Sequence, residues 1–131
     1  MNALRVLIVD DSSVMRKIVD RSLRQAGLQV QEVFEASNGV EALARMQQTP
    51  VDLILTDINM PVMDGEEFVR RLRASAAAAV PVIVVSTDAT PHRIHNMLDL
   101  GTGYLQKPFG PEQLRDELER VLLAGKEMTD A

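Results

Sequence analysis

The stretch "DLILTDINMPVMDG", Asp52–Gly65, decides the fold. Leu53–Thr56 fits a short strand covered on both faces, because nearly every position is apolar. An acid, Asp57, stands where that run stops, with Asn59 and Pro61 close behind. Ser or Gly would turn the chain as well. A carboxylate at the tip of a core strand therefore asks for a chemical reason.

The same kind of run recurs on either side. "LRVLIVD" (Leu4–Asp10) and "VPVIVVS" (Val80–Ser86) are short and rich in Val, Ile and Leu. "VQEVFEA" (Val30–Ala36) alternates more, which predicts a strand nearer an edge, and "GYLQKP" opens a short fifth strand at Gly103. Amphipathic stretches separate them. Ser12 and Ser13 offer N-caps to a helix whose inward residues are Met15, Ile18, Val19, Ser22, Leu23 and Ala26, and Gly27 stops it. Asn38 caps a second helix to about Gln48. A third runs from Gly65 to about Arg73, with Phe68, Val69 and Leu72 inward, and "SAAAA" (Ser75–Ala79) is its tail and a loop. Thr90 and Pro91 read as a cap and first helical position, and Pro111 opens the last helix, with Leu114, Leu118, Val121 and Leu122 on one face. Five β-α units in alternation predict an α/β fold: a five-stranded parallel sheet, doubly wound, with helices on both faces.

Composition sets bounds on function. A chain of 131 residues with 46% hydrophobic residues can bury one core, so a single domain is expected. The net charge of −5 disfavours nucleic acid as a partner, since phosphates are repelled by an acidic surface. Cysteine is absent, which excludes disulfides and thiolate metal sites. The lack of a long apolar run predicts no membrane span and a cytoplasmic protein.

In doubly wound sheets the C-terminal strand ends face the ligand crevice. There the sequence places Asp10 and Asp11, Asp57, Ser86 with Thr87, and Lys107 followed by Pro108. Any one of these is most often a turn former, a cap or a solvated charge. The combination says more. Three crowded carboxylates repel unless a cation joins them. Oxygen-only ligands suit Mg2+, with Mn2+ as the substitute ion, and leave open positions for phosphoryl oxygens. Lys107 and the Ser86 hydroxyl add positive charge and a hydrogen-bond donor, and Asp57 is a nucleophile of the kind that forms aspartyl phosphates. Phosphorylation of Asp57 gives the strand-tip acid its reason.

"VLIVDDSSVMRKI", "DLILTDINMPVMDG", "PVIVVST" and "GYLQKPF" together resemble the receiver domain of two-component response regulators, most closely the single-domain chemotaxis-type (CheY-like) regulators. The resemblance covers nearly the whole chain. It implies strand order 2-1-3-4-5, with Asp57 as phosphoacceptor and Lys107 as its phosphoryl partner. Asp11 would ligate Mg2+ directly, with Asp57 and the backbone carbonyl of Asn59, and Asp10 through water. Ser86 and Tyr104 would form the switch, Pro108 would follow a cis peptide bond, and Gly65 would take a left-handed or close-packed position. Asn59 and Asp88 would control hydrolysis and permit a short-lived phosphoryl group, while Thr87, where Ala is usual, would slow it by crowding. Thr102 replaces another usual Ala. The implied partners are a sensor histidine kinase and an output protein such as a motor switch protein, contacted by a face carrying Ile94, Met97, Tyr104, Lys107 and Glu112. The implied organisation is a receiver domain over residues 1–124, a frayed tail at 125–131, no effector domain, and a monomer or weak dimer. Its only enzymatic character is phosphotransfer onto itself and autodephosphorylation.

Three rivals remain. A haloacid-dehalogenase-type phosphatase needs D-x-D after its first strand, where this chain has D-D-S. A flavodoxin-like FMN carrier needs a Gly- and hydroxyl-rich loop there. A receiver-shaped module that is never phosphorylated has no need of Asp11, Asp57, Ser86 and Lys107 together. His92 and His95, the scattered Met residues, and Arg70, Arg71 and Arg73 read as surface, packing and a solvated helix face respectively.

Overall fold

A computed structural model describes residues 3–130, with side chains through residue 123. Five strands alternate with five helices. In chain order they are β1 (Leu4–Val9), α1 (Ser13–Gln25), β2 (Val30–Ala36), α2 (Gly39–Gln48), β3 (Leu53–Thr56), α3 (Gly65–Arg73), β4 (Val82–Ser86), α4 (Pro91–Asp99), β5 (Gly103–Gln106) and α5 (Pro111–Asp130). All neighbouring strands are parallel, in the order β2-β1-β3-β4-β5. The sheet is the doubly wound one expected, and the alternating β2 lies at an edge. The tail expected at 125–131 falls among residues whose side chains are outside the description.

Period-two alternation builds two cores. Val6 and Ile8, Leu53 and Leu55, and Ile83 and Val85 point to one face, beneath α1 and α5. Leu7 and Val9, Ile54, and Val82 and Val84 point to the other, beneath α2, α3 and α4. Both faces of the central strands are therefore dry, which is why their sequences are apolar without a break. Phe68, Val69, Leu72, Leu114, Leu118 and Val121 are buried as their helical spacing predicts. Ile18 is not: it is 47% exposed, while Val19 and Leu23 alone from α1 are fully buried. The apolar stripe of α1 is narrower than the sequence pattern.

Caps account for most helix starts. Ser12 accepts from the Met15 N–H, Asn38 from Glu41 and Asp64 from Glu67. Thr90 departs from expectation, since its side chain caps nothing. The Asp88 carboxylate takes the Thr90 N–H instead, at 2.9 Å. Arg73 also departs. It is half-buried, and its guanidinium donates to the carbonyls of Ala78, Val80, Leu100 and Gly101. It thereby ties the end of α3 to the loop before β4 and to the C-terminal end of α4. No solvated face could use a five-donor fork this way. Burial pushes its basicity below the usual arginine value.

Candidate functional site

Asp10, Asp57 and Lys107 each lie one step past a strand, with the backbone still held by the neighbouring strand. The Asp10 N–H donates to Ala36 O, the Asp57 N–H to Val9 O, and the Lys107 N–H to Ser86 O. The ladder thus fixes where the three side chains start, and the chain turns only afterwards. Because β1 and β3 are adjacent, their acids meet. One carboxylate oxygen from each of Asp10, Asp11 and Asp57 lies within 4.8 Å of the others. Lys107 reaches them from β5: its Nζ is 3.2 Å from Asp10 Oδ2 and 3.4 Å from Asp57 Oδ2. Asp10 is 4% exposed, whereas Asp11 is exposed to solvent.

Local contacts lock these groups. Asp10 Oδ1 accepts the Ser12 N–H, and its carbonyl accepts from Arg16 Nη1 at 2.6 Å. Asp57 Oδ1 accepts the Ile58 N–H at 2.7 Å. Gly65 is the close-packed position and not a left-handed one: a Cβ there would collide with the Asp57 backbone carbonyl. The Lys107–Pro108 peptide is cis. Lys107 bridges two carboxylates with a single positive charge, and the third, Asp11, faces water, so negative charge is in excess. An all-oxygen set with one surplus exposed acid fits a hard divalent cation.

Ser86, fully buried, and Tyr104, half-buried, converge on Asp88. The Asp88 N–H donates to Ser86 Oγ at 3.0 Å, and the Tyr104 hydroxyl donates to the Asp88 carbonyl at 2.6 Å. The side chain of Asp88 accepts from Asn59 Nδ2 at 3.2 Å. Hydrogen bonds from Thr90 and then from Asn59, helped by the Arg93 charge, hold its carboxyl at about 2. Burial, then the Asp88 and Asp57 charges, push the Tyr104 phenol above its ordinary value. Thr87 is exposed. Thr102 is buried, and its hydroxyl donates to Met97 O at the end of α4. Met97 is 0% exposed, beneath the expected output face and not on it.

The sequence reading passed over Arg93 and Arg16. Arg93 sits in the first turn of α4, where the helix dipole disfavours a cation. That misplacement was the available signal.

A doubly wound α/β protein with a lysine-bridged carboxylate crevice beside a buried Ser and a half-buried Tyr is the class these features define. The chain belongs to the response regulator receiver domain family, which matches residues 6–119. It is 38% identical to the chemotaxis protein CheY homolog of Campylobacter jejuni over 125 residues, 93% of this chain and 95% of that one. Among solved structures it resembles the chemotaxis response regulator CheY4 of Vibrio cholerae, at TM-score 0.79 and 40% identity, over 92% of this chain and all of that one. It also resembles the receiver domain of sensor histidine kinase PA1611 from Pseudomonas aeruginosa, described with magnesium coordinated in the active-site cleft. That likeness has TM-score 0.78 and 29% identity, over 92% of this chain and 98% of that one. Among the described residues no helix is long and apolar enough to cross a membrane.

Proposed function

We propose that this receiver domain is a phosphorylation-controlled signalling switch that takes a phosphoryl group on Asp57 from a histidine kinase. The observation that carries this reading is Lys107 bridging Asp10 and Asp57 beside a third, exposed acid. A carboxylate oxygen of Asp57 attacks phosphorus of the donor's phosphohistidine. The P–N bond breaks, an acyl phosphate forms, and the imidazole leaves, taking a proton. Lys107 stays within reach of the new phosphoryl oxygens and balances the negative charge they bring in place of the carboxylate's.

Asp11, Asp57 and the Asn59 carbonyl would hold a Mg2+ directly, and Asp10 would hold it through water. When bound, the ion neutralises the phosphoryl oxygens during transfer. Ser86 turns toward the phosphoryl group, which loosens its bond with Asp88 and so disturbs the Tyr104 contact on the same residue. That shift alters the surface of α4, β5 and α5, and output follows by protein contact in the cytoplasm, with a chemotaxis motor switch protein as the leading partner class. Allosteric coupling of this kind is typically about 1–3 kcal/mol, so partner affinity should change by roughly 5- to 150-fold.

Incubation with acetyl phosphate and Mg2+, followed by intact mass measurement, tests the reading. Wild type should gain one phosphoryl group, and Asp57→Asn should gain none. Equal labelling of the variant would remove Asp57 from its role.

A further inference from the structure

On the β4 side the crevice is strapped. Asn59 lies two residues past Asp57, and Asp88 two past Ser86. β3 and β4 are paired neighbours, so the loops leaving them run side by side. Arg93 joins those loops. Its Nη1 donates to Asn59 Oδ1 at 2.6 Å and lies 3.4 Å from Asp88 Oδ2. Its Nη2 lies 3.6 Å from Asp64 Oδ2. Asn59 Nδ2 closes the ring by donating to Asp88 Oδ2. Both ends of the Asn59 carboxamide are thereby occupied. Three residues from the two loops are held by one guanidinium, and that guanidinium stands at a helix N-terminus that repels it. A cation kept in so unfavourable a place has a compensating contact, and this ring is the contact.

We propose that Arg93 is a positioning residue that holds Asn59 and Asp88 together across the β4 side of the Asp57 crevice and thereby slows both gain and loss of the phosphoryl group. The role rests on Asp57 being the phosphoacceptor. In hydrolysis a water oxygen attacks phosphorus, the acyl P–O bond breaks, Asp57 leaves as carboxylate, and the water's proton goes to the released phosphate. The water must approach past the β3 and β4 loops and needs an acceptor to orient it. With the clasp closed, Arg93 occupies one of the two lone pairs of Asn59 Oδ1 and holds that oxygen away from the water's approach. Opening the clasp frees the carboxamide and widens the gap. A small phosphodonor enters along the same line and meets the same strap. Asp10, Asp11 and Asp57 are not themselves members of the clasp.

The test compares wild type with Arg93→Met, which keeps the stem and loses the fork, and with Arg93→Lys, which keeps the charge but not the planar fork that spans the partners. After loading with acetyl phosphate and Mg2+ and removal of the donor, phosphoryl loss is followed by intact mass. Arg93→Met should lose the group about two- to fivefold faster, the population shift expected from partly exposed charge pairs, and should load faster by a similar factor. Arg93→Lys should fall between. Unchanged rates, or slower loading and loss, would overturn the proposal; slower rates would mean that the cation acts on the phosphoryl group itself. A second readout needs no phosphorylation. The Asn59 side-chain N–H that donates to Asp88, observed by NMR in the unmodified protein, should exchange faster in Arg93→Met, because the carboxamide loses the bond that fixes its oxygen. An exchange rate equal to that of wild type would overturn the clasp. Wild-type protein that takes no label would defeat the phosphoacceptor reading and this role with it, even with the amide signature intact.

Discussion

Replacing Asp11 with Asn and Lys107 with Met should move the stability of the metal-free protein in opposite directions. Asp11 lies within 4.8 Å of Asp10 and Asp57, and Lys107 pairs with those two acids. Like charges at that separation repel by about 0.9 kcal/mol in water and about 3.5 kcal/mol at an effective dielectric near 20. Because Asp11 is exposed, the low end applies, and Asp11→Asn should stabilise the metal-free protein by about 1 kcal/mol. Lys107→Met strands two acids whose side chains are 6% and 14% exposed. Breaking a buried pair in this way costs about 3–5 kcal/mol. Mg2+ should exchange the order of wild type and Asp11→Asn and leave Lys107→Met the least stable of the three. At a hundred times its dissociation constant a ligand adds about 2.7 kcal/mol, so wild type should gain that much. Asp11→Asn should gain almost nothing at the same concentration, and Lys107→Met should gain at least as much as wild type. Urea unfolding of the three proteins, with Mg2+ and with a chelator, reads all six values. A metal-free Asp11→Asn protein that loses 1 kcal/mol or more, or that keeps the full Mg2+ response, would refute the crowding argument and make Asp11 a structural residue.

Val62 is 82% exposed and has φ of 69°, a left-handed backbone that a β-branched residue adopts only under strain. Val62→Asn should raise the unfolding midpoint, by about 1 kcal/mol in denaturant titration, and a loss would show that the side chain has a partner in the fold. Arg73→Ala leaves four carbonyls short of a donor, so a cost of about 2–4 kcal/mol is expected in the same assay, with Arg73→Lys recovering little of it. Asp88 is held at about 2 against an ordinary 3.8, so the unfolded chain binds more protons and stability rises with pH across that interval. Its contribution is complete above about pH 4 and lost as pH falls toward 2. Acid unfolding of Asp88→Asn should have a shallower limb there, and an identical limb would remove Asp88 from the linkage.

Period-two and helical spacing in the sequence determined the five units, the parallel sheet and the burial of residues such as Leu55 and Phe68, because those patterns are written within a few consecutive positions. The acids and Lys107 were legible too, since each lies one step beyond an apolar run and parallel strands bring such ends together. Only the tertiary structure decided what the arginines do. Arg93 meets Asn59 across 34 positions, and Arg73 meets Leu100 across 27. A long, flexible side chain with five donors can reach partners on other elements, and nothing in its own neighbourhood says which. The same holds for Asp88, whose carboxylate takes the Thr90 N–H just ahead of α4 and an Asn59 N–H from the β3 loop. Helical spacing placed Met97 and Ile18 on a face, but the depth of that face depends on what packs over it. Met97 went under the output surface, into the core cluster beneath α2, α3 and α4, and Ile18 into solvent.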